Sequence, residues 1–542
     1  MIKISDNLNI YFPLKMVPRS QQLAGLEFLK KSILSNNKYF LLNLSTGVGK
    51  SFLTIMFANW YKNFINELKL DILTNSKVLQ NQYIKDFPFI KNFKGKQNYF
   101  CQKHSVDCAS GKEICKILKT PCETCPYDRA KTAWQSSQIG LTNFHLFGTL
   151  AVHQKQILKN RGANVLIVDE CHDLESVFSD QLSSTLSARS LKKCGFNLKE
   201  IDDYDTKYIS KIKTLEKYLE FLDRKLIPDL KRKYDFFEQT IITSDLKKKK
   251  EYSLFIQKIE NKLFSYEHLF KSHKEDPNNI VLDIVKNKDK MYSGYQLVTN
   301  HVWVYEYIEK FIFSKYDHVI FMSASILNKD MFCYINGLDK NITTYFEIPT
   351  PFLKKNRKIF YLKVGKMSFK NKEETFLKQV PWIKEILKKY KNEKGIIHTT
   401  NYEITEWIKE NIQDERLLFH ETEDRHDILE QHLHSTKPTV LVSPSMISGI
   451  SLDDDLARFQ ILVKTPFPNI SSAKIKARQK TNPNWYTWKA CTDILQAYGR
   501  GVRSETDFCD FYILDSNFSD LLKYNSHMFP KYFLDAIKTL KI

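Results

Sequence analysis

The chain has 542 residues, with 82 Lys+Arg against 62 Asp+Glu, a formal net charge of +20 and a pI near 9.2. That length calls for three or four domains with large cores, and the basic excess points to a polyanionic partner, a nucleic acid rather than a membrane. No apolar run reaches the roughly 18 residues of a bilayer span, and the first residues, with Asp6 and Asn7, lack a secretion signal's apolar segment, so the expectation is a soluble intracellular monomer, cytoplasmic or nucleoid-associated, or in a host cell if viral.

In chain order, Pro18-Arg19-Ser20-Gln21-Gln22 precedes apolar positions at Leu23, Leu26, Leu29 and Ile33, whose spacing predicts a helix packed on a nucleotide domain. A glutamine amide both donates and accepts, as the edge of adenine requires, which makes Gln22 the candidate adenine sensor. The apolar run Leu41-Leu42-Asn43-Leu44 then leads into Ser45-Thr46-Gly47-Val48-Gly49-Lys50-Ser51 and a helical pattern from Phe52. This reads as a phosphate-binding loop. Its glycines turn backbone N–H groups toward an anion at a helix N-terminus, Lys50 reaches the β/γ-phosphates of ATP and Ser51 ligates Mg²⁺; Thr46, Gly47, Val48 and Gly49 form the rest of the cradle.

Asp71–Ser76 reads as a second strand with a polar end, followed by the helical stretch Val78–Tyr83. Between Cys101 and Cys125 lie five of the ten cysteines, Cys101, Cys108, Cys115, Cys122 and Cys125. In a reducing compartment such a cluster reads as a thiolate-ligated metal centre, either tetrahedral zinc or a cubane iron–sulfur cluster, which the spacing does not separate. Cys101, Cys108, Cys122 and Cys125 bracket the insert and are the expected ligands, with Cys115 as the spare; the insert is expected to be a small helical subdomain held by its metal. Val165-Leu166-Ile167-Val168 is a buried parallel strand ending in Asp169-Glu170-Cys171-His172, where Asp169 holds Mg²⁺ and Glu170 polarises the attacking water.

Residues 186–300 read as helical and lysine-rich, with Leu215, Leu219 and Leu222 at helical spacing and a bare run at Lys247–Lys250. Val319–Ser325 is another strand with a hydroxyl-bearing end. A second α/β domain is expected from about Glu347, with strands at Gly395–Thr400 and Val440–Ser445, and Gly449 in the glycine-bearing turn that follows the latter. Gln496, Arg500 and Arg503 in Gln496-Ala497-Tyr498-Gly499-Arg500-Gly501-Val502-Arg503 fall on one face if that stretch is helical, presenting arginine fingers across a domain cleft.

The phosphate loop, the cysteine insert after Gly95-Lys96-Gln97-Asn98-Tyr99, Leu141-Thr142-Asn143-Phe144-His145, the Asp169–His172 box and the closing Gln496–Arg503 motif together resemble the XPD/DinG family of superfamily-two DNA helicases. Thr74–Asp86 is similar to the family's second motif, and Ser323-Ala324-Ser325 to its third with serine for threonine. Ser451 stands where the family has aspartate, and Cys171 where it has alanine. The resemblance implies an α/β fold of two RecA-like motor domains, with a four-cysteine [4Fe–4S] insert and a helical arch in the first. It implies ATP and Mg²⁺ as cofactors, single-stranded or forked DNA as partner, and 5′ to 3′ translocation with unwinding. The expected division is 1–92, 136–185 and 301–346 for the first motor domain, 93–135 for the metal insert, 186–300 for the arch and 347–542 for the second motor domain. The alternatives are an ATPase that translocates without unwinding and a catalytically silent nucleic-acid-binding scaffold.

Overall fold

The structure is a computed structural model and describes residues 11–12, 17–45, 47–65, 67–287, 294–446, 452, 454–502, 504 and 506–540. Thr46, Gly449, Ser451 and Arg503 lie outside the described residues.

Two seven-stranded sheets carry the chain. The first contains β1 (Tyr39–Leu44), β2 (Leu70–Thr74), β3 (Lys91–Asn92), β4 (Ile139–Asn143), β5 (Val165–Asp169), β6 (His318–Ser323) and β7 (Thr343–Ile348), in the order β7-β1-β6-β5-β2-β4-β3. Every pairing is parallel. The central strands β1, β5 and β6 are mostly apolar and buried along their length, as parallel strands between two packed layers require. Tyr39 and Leu41 of β1 enter one core, while Phe40, Leu42 and Leu44 enter the other. The second sheet holds β8 (Ile359–Gly365), β9 (Gly395–His398), β10 (Leu417–Phe419), β11 (Val440–Ser443), β12 (Phe459–Leu462), β13 (Asp510–Asp515) and β14 (Ile537–Leu540). Its order is β10-β11-β9-β12-β13-β8-β14, again all parallel.

The predicted N-terminal helix runs Ser20–Leu34 and buries Leu26, Leu29 and Ile33. The lysine-rich region is helical as expected over Ile227–Thr243 and Leu246–Glu275, with Lys247, Lys248 and Lys250 exposed. Its end is not helical. Ile280–Asn287 and Gly294–His301 form an antiparallel hairpin that pairs with Ser184–Leu186. The β-branched alternation Ile280-Val281-Leu282-Asp283-Ile284-Val285 carries a strand signal that the lysines upstream mask.

The two halves share a core. Val302, Trp303 and Ile335 pack with Trp485, Trp488 and Ile494 of the second half. Within it, Arg478 of helix Ala473–Thr481 pairs bidentately with Glu175 of helix Leu174–Leu182, with Nη1 donating to Oε2 at 3.1 Å and Nη2 to Oε1. Its Nε donates to the Val302 carbonyl at 2.6 Å, and the guanidinium carbon lies 4.7 Å from the Trp303 ring and 4.9 Å from the Trp485 ring. Burial alone would raise the Glu175 carboxyl, but Arg478 outweighs it and holds it below the usual range.

Inside the second sheet, His398 is fully buried with Nε2 3.0 Å from Gln460 Oε1, and burial lowers its pKa from 6.5 to about 4. Burial lowers His301 and His432 likewise to about 4. Unfolded histidine titrates near 6.5, so between pH 6.5 and 4 the unfolded chain binds more protons than the native one, and native stability falls as pH falls through that window. The expected loss is on the order of 3 kcal/mol per ring. Urea unfolding at pH 7.5 and 4.5 checks it, and His398→Asn is expected to shrink the difference between the two.

Candidate nucleotide site and cysteine insert

The first sheet sets three functional ends side by side. The loop after β1, the acidic pair at the end of β5 and the Ser323–Ser325 turn after β6 stand at the carboxyl ends of strands in the order β1-β6-β5, where open parallel sheets bind ligands. The helix Lys50–Lys62 begins directly after Gly49, which sits at φ 83°. A Cβ on Gly49 would stand 2.5 Å from Gln22 Nε2, so the position takes only glycine for both reasons. Gln22 Nε2 donates to the Val48 carbonyl at 3.1 Å and the Gly49 carbonyl at 3.3 Å, and its Oε1 accepts from the Arg19 backbone N–H at 2.9 Å. The candidate adenine sensor therefore braces the phosphate loop. Gly47 accepts from the Arg19 guanidinium, Val48 is buried, and Ser51 is the second residue of the helix and half-buried.

Lys50 Nζ pairs with Glu170 Oε1 and stands 3.8 Å from Asp169 Oδ1. Asp169 is buried; its Oδ2 accepts from the Tyr83 hydroxyl at 3.0 Å and its Oδ1 from the Glu170 N–H at 3.0 Å. Burial pushes the Asp169 carboxyl up, with Lys50 opposing and the Glu170 charge adding to the rise. Glu170 also feels burial, but Lys50 and then His172 outweigh it and hold it well below the usual range. The shared Lys50 charge thus holds Glu170 ionised, while burial raises the Asp169 carboxyl. Glu170 adopts φ 57°, a left-handed conformation that costs a non-glycine residue about 1–3 kcal/mol and that aims its carboxylate away from the sheet, at Lys50.

Across the cleft the chain of contacts continues. His172 Nδ1 lies 2.9 Å from Ser323 Oγ and 3.4 Å from Glu170 Oε2, and Ser323 Oγ lies 3.2 Å from Ser325 Oγ. Gln496 from the second half donates to Ser325 Oγ, stands 3.4 Å from His172 Nδ1, and accepts from Arg500 Nη2 at 3.1 Å. Arg500 is close enough to Glu170 to help lower its pKa. The helix that carries Gln496 ends at Tyr498, so Arg500 sits in the turn beyond it rather than on a continuous helical face; glycines at 499 and 501 end the helix. The contact between 496 and 500 nonetheless forms. Sequence reasoning gave no role to Tyr83, His172 or Ser323. Tyr83 lies in a helical stretch whose motif resemblance assigns it no contact, and its reach to Asp169 exists only after the sheet is assembled.

Farther along the second half, His398 and Thr399 are buried, with Thr399 sharing a hydrogen bond with Thr405 at 2.7 Å, so the side chains of this strand end support the turn.

In the cysteine insert, a hairpin of Phe100–Cys101 and Val106–Asp107 leads into the helix Cys108–Ile117, and Pro126–Ser136 forms a second helix. Cys101, Cys108 and Cys125 are buried, Cys115 and Cys122 half-buried. Burial pushes the Cys108 thiol up to about 11, with Cys125 and Cys101 adding to the shift; Cys115 is raised by burial and by Cys101, Cys122 and Cys125. Gly111 lets the helix meet the hairpin: a Cβ there would stand 2.7 Å from Cys101 Cβ and 2.8 Å from its sulfur. His104 Nε2 lies 3.3 Å from Cys115 Sγ, so Cys115 has a histidine neighbour inside the insert. Among the described residues no group of three or more His, Cys, Asp or Glu stands at metal-holding spacing. Electrostatic interactions tie Cys108 to Cys101 and Cys125, and Cys115 to Cys101, Cys122 and Cys125, and the chemistry of such thiols suits a soft, thiolate-ligated centre.

Among the described residues no helix is long and apolar enough to cross a membrane.

Comparison with known proteins agrees with this architecture. The family described as "Helicase C-terminal domain" matches residues 383–535, and "Type III restriction enzyme, res subunit" matches residues 15–210. The ATP-dependent DNA helicase CHL1 of Eremothecium gossypii is 26% identical over 127 residues, 19% of this chain and 16% of that protein. CHL1 of Saccharomyces cerevisiae is 26% identical over 140 residues, 21% of this chain and 16% of that protein. The aligned stretches thus span about a sixth of these curated relatives. Two solved structures titled XPD helicase and XPD apo share the fold, with TM-scores of 0.66 and 0.65 at 14% and 12% identity; they cover 97% and 96% of this chain, and all of each is covered in turn. The chain thus matches a helicase C-terminal domain in its second half and the res subunit of type III restriction enzymes in its first, within a fold shared with the XPD structures over nearly its whole length.

Proposed function

We propose that the protein is an ATP-driven motor that moves 5′ to 3′ along single-stranded DNA and unwinds duplex ahead of it. One observation carries the reading: the unbroken series Lys50, Glu170, His172, Ser323, Ser325, Gln496 and Arg500 links the phosphate loop to the second half. In this reading Gln22 senses adenine, the loop of Thr46, Gly47, Val48 and Gly49 cradles the phosphates, and Lys50 neutralises them. Ser51 and Asp169 hold Mg²⁺, and Glu170 orients the attacking water. Arg500 and Arg503 stabilise the transferred phosphoryl group, and Gln496 reports its presence to Ser325. Gly449 contributes from the second half. The expected division into two motor domains, metal insert and arch goes with this reading. The basic surface, net charge +20, holds the DNA phosphates.

The thiols of Cys101, Cys108, Cys122 and Cys125, with Cys115 beside them, would hold a [4Fe–4S] cluster. That centre, when bound, supplies the rigidity that so small an insert lacks. Zinc is the alternative occupant.

ATP hydrolysis is expected to rise on adding single-stranded DNA, and strand displacement to require a 5′ rather than a 3′ tail. Turnover without stimulation removes the motor reading; stimulation without displacement leaves a translocase. Anaerobically purified protein is expected to be brown with about four irons per chain; a colourless protein with one zinc keeps the motor and removes the cluster.

A further inference from the structure

Away from the nucleotide site, the short strand Ser184–Leu186, the segment from Ser190 to Cys194 and the long helix Leu246–Glu275 line a surface pocket of about 190 Å³. Three ammonium side chains line it, those of Lys193, Lys258 and Lys262, together with the Asn261 amide, and no carboxylate does. Lys258, Lys262 and Ser265 project from one face of the long helix by their spacing of four and three. Lys262 donates to the Thr185 carbonyl, while Lys193 and Lys258 make no ion pair among the described residues. Such convergence of like charge in a confined space is unfavourable unless an anion completes it. Burial separately disfavours the charged form of Lys262 and lowers its pKa to about 8, with the neighbouring Cys194 opposing the fall. The pocket is smaller than the 300–1,000 Å³ or so typical of drug-sized ligands, and it suits one tetrahedral oxyanion with a short attachment.

We propose that this pocket is a binding site for a phosphate group, specifically a terminal phosphomonoester or inorganic phosphate. A dianion matches three ammonium groups better than the single charge of a phosphodiester does, and the Asn261 amide adds a neutral donor. The site shares no residue with the nucleotide site and stands independently of the motor reading. Two sources carry the same chemistry, free phosphate and the phosphorylated end of a nucleic-acid strand.

Calorimetric titration of the full-length protein, wild type and Lys258→Gln/Lys262→Gln, uses inorganic phosphate and a short oligonucleotide with a 5′-phosphate or a 5′-hydroxyl. The double variant is expected to bind phosphate at least about tenfold more weakly than the wild type. A preference of the wild type, lost in the variant, for the phosphorylated oligonucleotide identifies a strand end as the source; phosphate binding without that preference identifies free phosphate. Equal phosphate binding by wild type and variant overturns the proposal. Should the double variant misfold, amine acetylation of the wild type at pH 8, read by mass spectrometry, decides instead. Phosphate is expected to protect Lys262, and labelling at Lys262 that phosphate leaves unchanged overturns the site.

Discussion

Replacing Glu170 with glutamine is expected to lower ATP turnover by about 10²- to 10⁴-fold, the usual contribution of a positioned acid–base group, while leaving nucleotide binding nearly intact. The side chain keeps its shape and its left-handed backbone, and only the charge proposed to polarise water is lost. That charge is the one that Lys50, His172 and Arg500 all help to stabilise, so the neutral variant also weakens the contacts these side chains make with it. Single-turnover hydrolysis alongside fluorescent nucleotide binding separates the two effects. A variant that hydrolyses ATP at the wild-type rate would move the water-activating role to another residue, and one that loses binding as well would make Glu170 structural.

The second large effect lies at the domain junction. Arg478→Ala leaves Glu175 charged, buried and without its bidentate partner, a loss of about 3–5 kcal/mol in comparable buried pairs. The two tryptophan faces that flank the guanidinium lose their cation as well. Glu175 stands on the helix directly after the acidic box and Arg478 on a helix of the second half, so the destabilisation should appear as earlier separation of the halves, not melting of either sheet. Denaturation followed by tryptophan fluorescence, which reports on Trp303 and Trp485, is expected to show an early transition absent from the wild type. Glu175→Leu with Arg478→Met is expected to recover most of the loss, because an apolar pair of similar volume carries no buried charge. If the double replacement is as unstable as the single one, the cost comes from packing around the tryptophans, not from the orphaned carboxylate.

What the sequence made legible was local. The phosphate loop and the Asp169-Glu170 box are short runs whose chemistry follows from adjacent residues, and the structure brings Lys50 to both carboxylates. Strands such as β1, β5, β6 and β11 were readable because burial on both faces favours apolar runs, whereas β3, β7, β8, β10, β12 and β14 carry no such clear signal and were not legible. The rest depends on partners far away in the chain. Tyr83 acquires its role from Asp169, His172 from Ser323 and Gln496, and Glu175 from Arg478; none of these pairs has a spacing to read. The hairpin of Ile280–His301 was hidden by composition, since the lysine-rich helices before it set the expectation for the whole stretch. Arg500 shows the limit of periodicity. Its contact with Gln496 follows from a spacing of four, yet glycines at 499 and 501 place it in a turn that periodicity alone does not anticipate.

The order of the first sheet bears on how the chain is made. Tyr39 of β1 pairs with Val319 on one side and Thr343 on the other. The strand that feeds the phosphate loop therefore emerges from the ribosome about 280 residues before either of its flanking partners, a wait of roughly 15–55 s at 5–20 residues per second. During that interval β1, apolar except for Asn43, has two unpaired edges, an invitation to misassociation that helices Ser20–Leu34 and Lys50–Lys62 can shield on only one face. The long helices between Ile227 and Glu275 pair with each other locally and can form meanwhile. Nascent protein halted before residue 318 is thus expected to hold a folded helical insert and an open nucleotide site, with chaperone dependence concentrated in that window of synthesis.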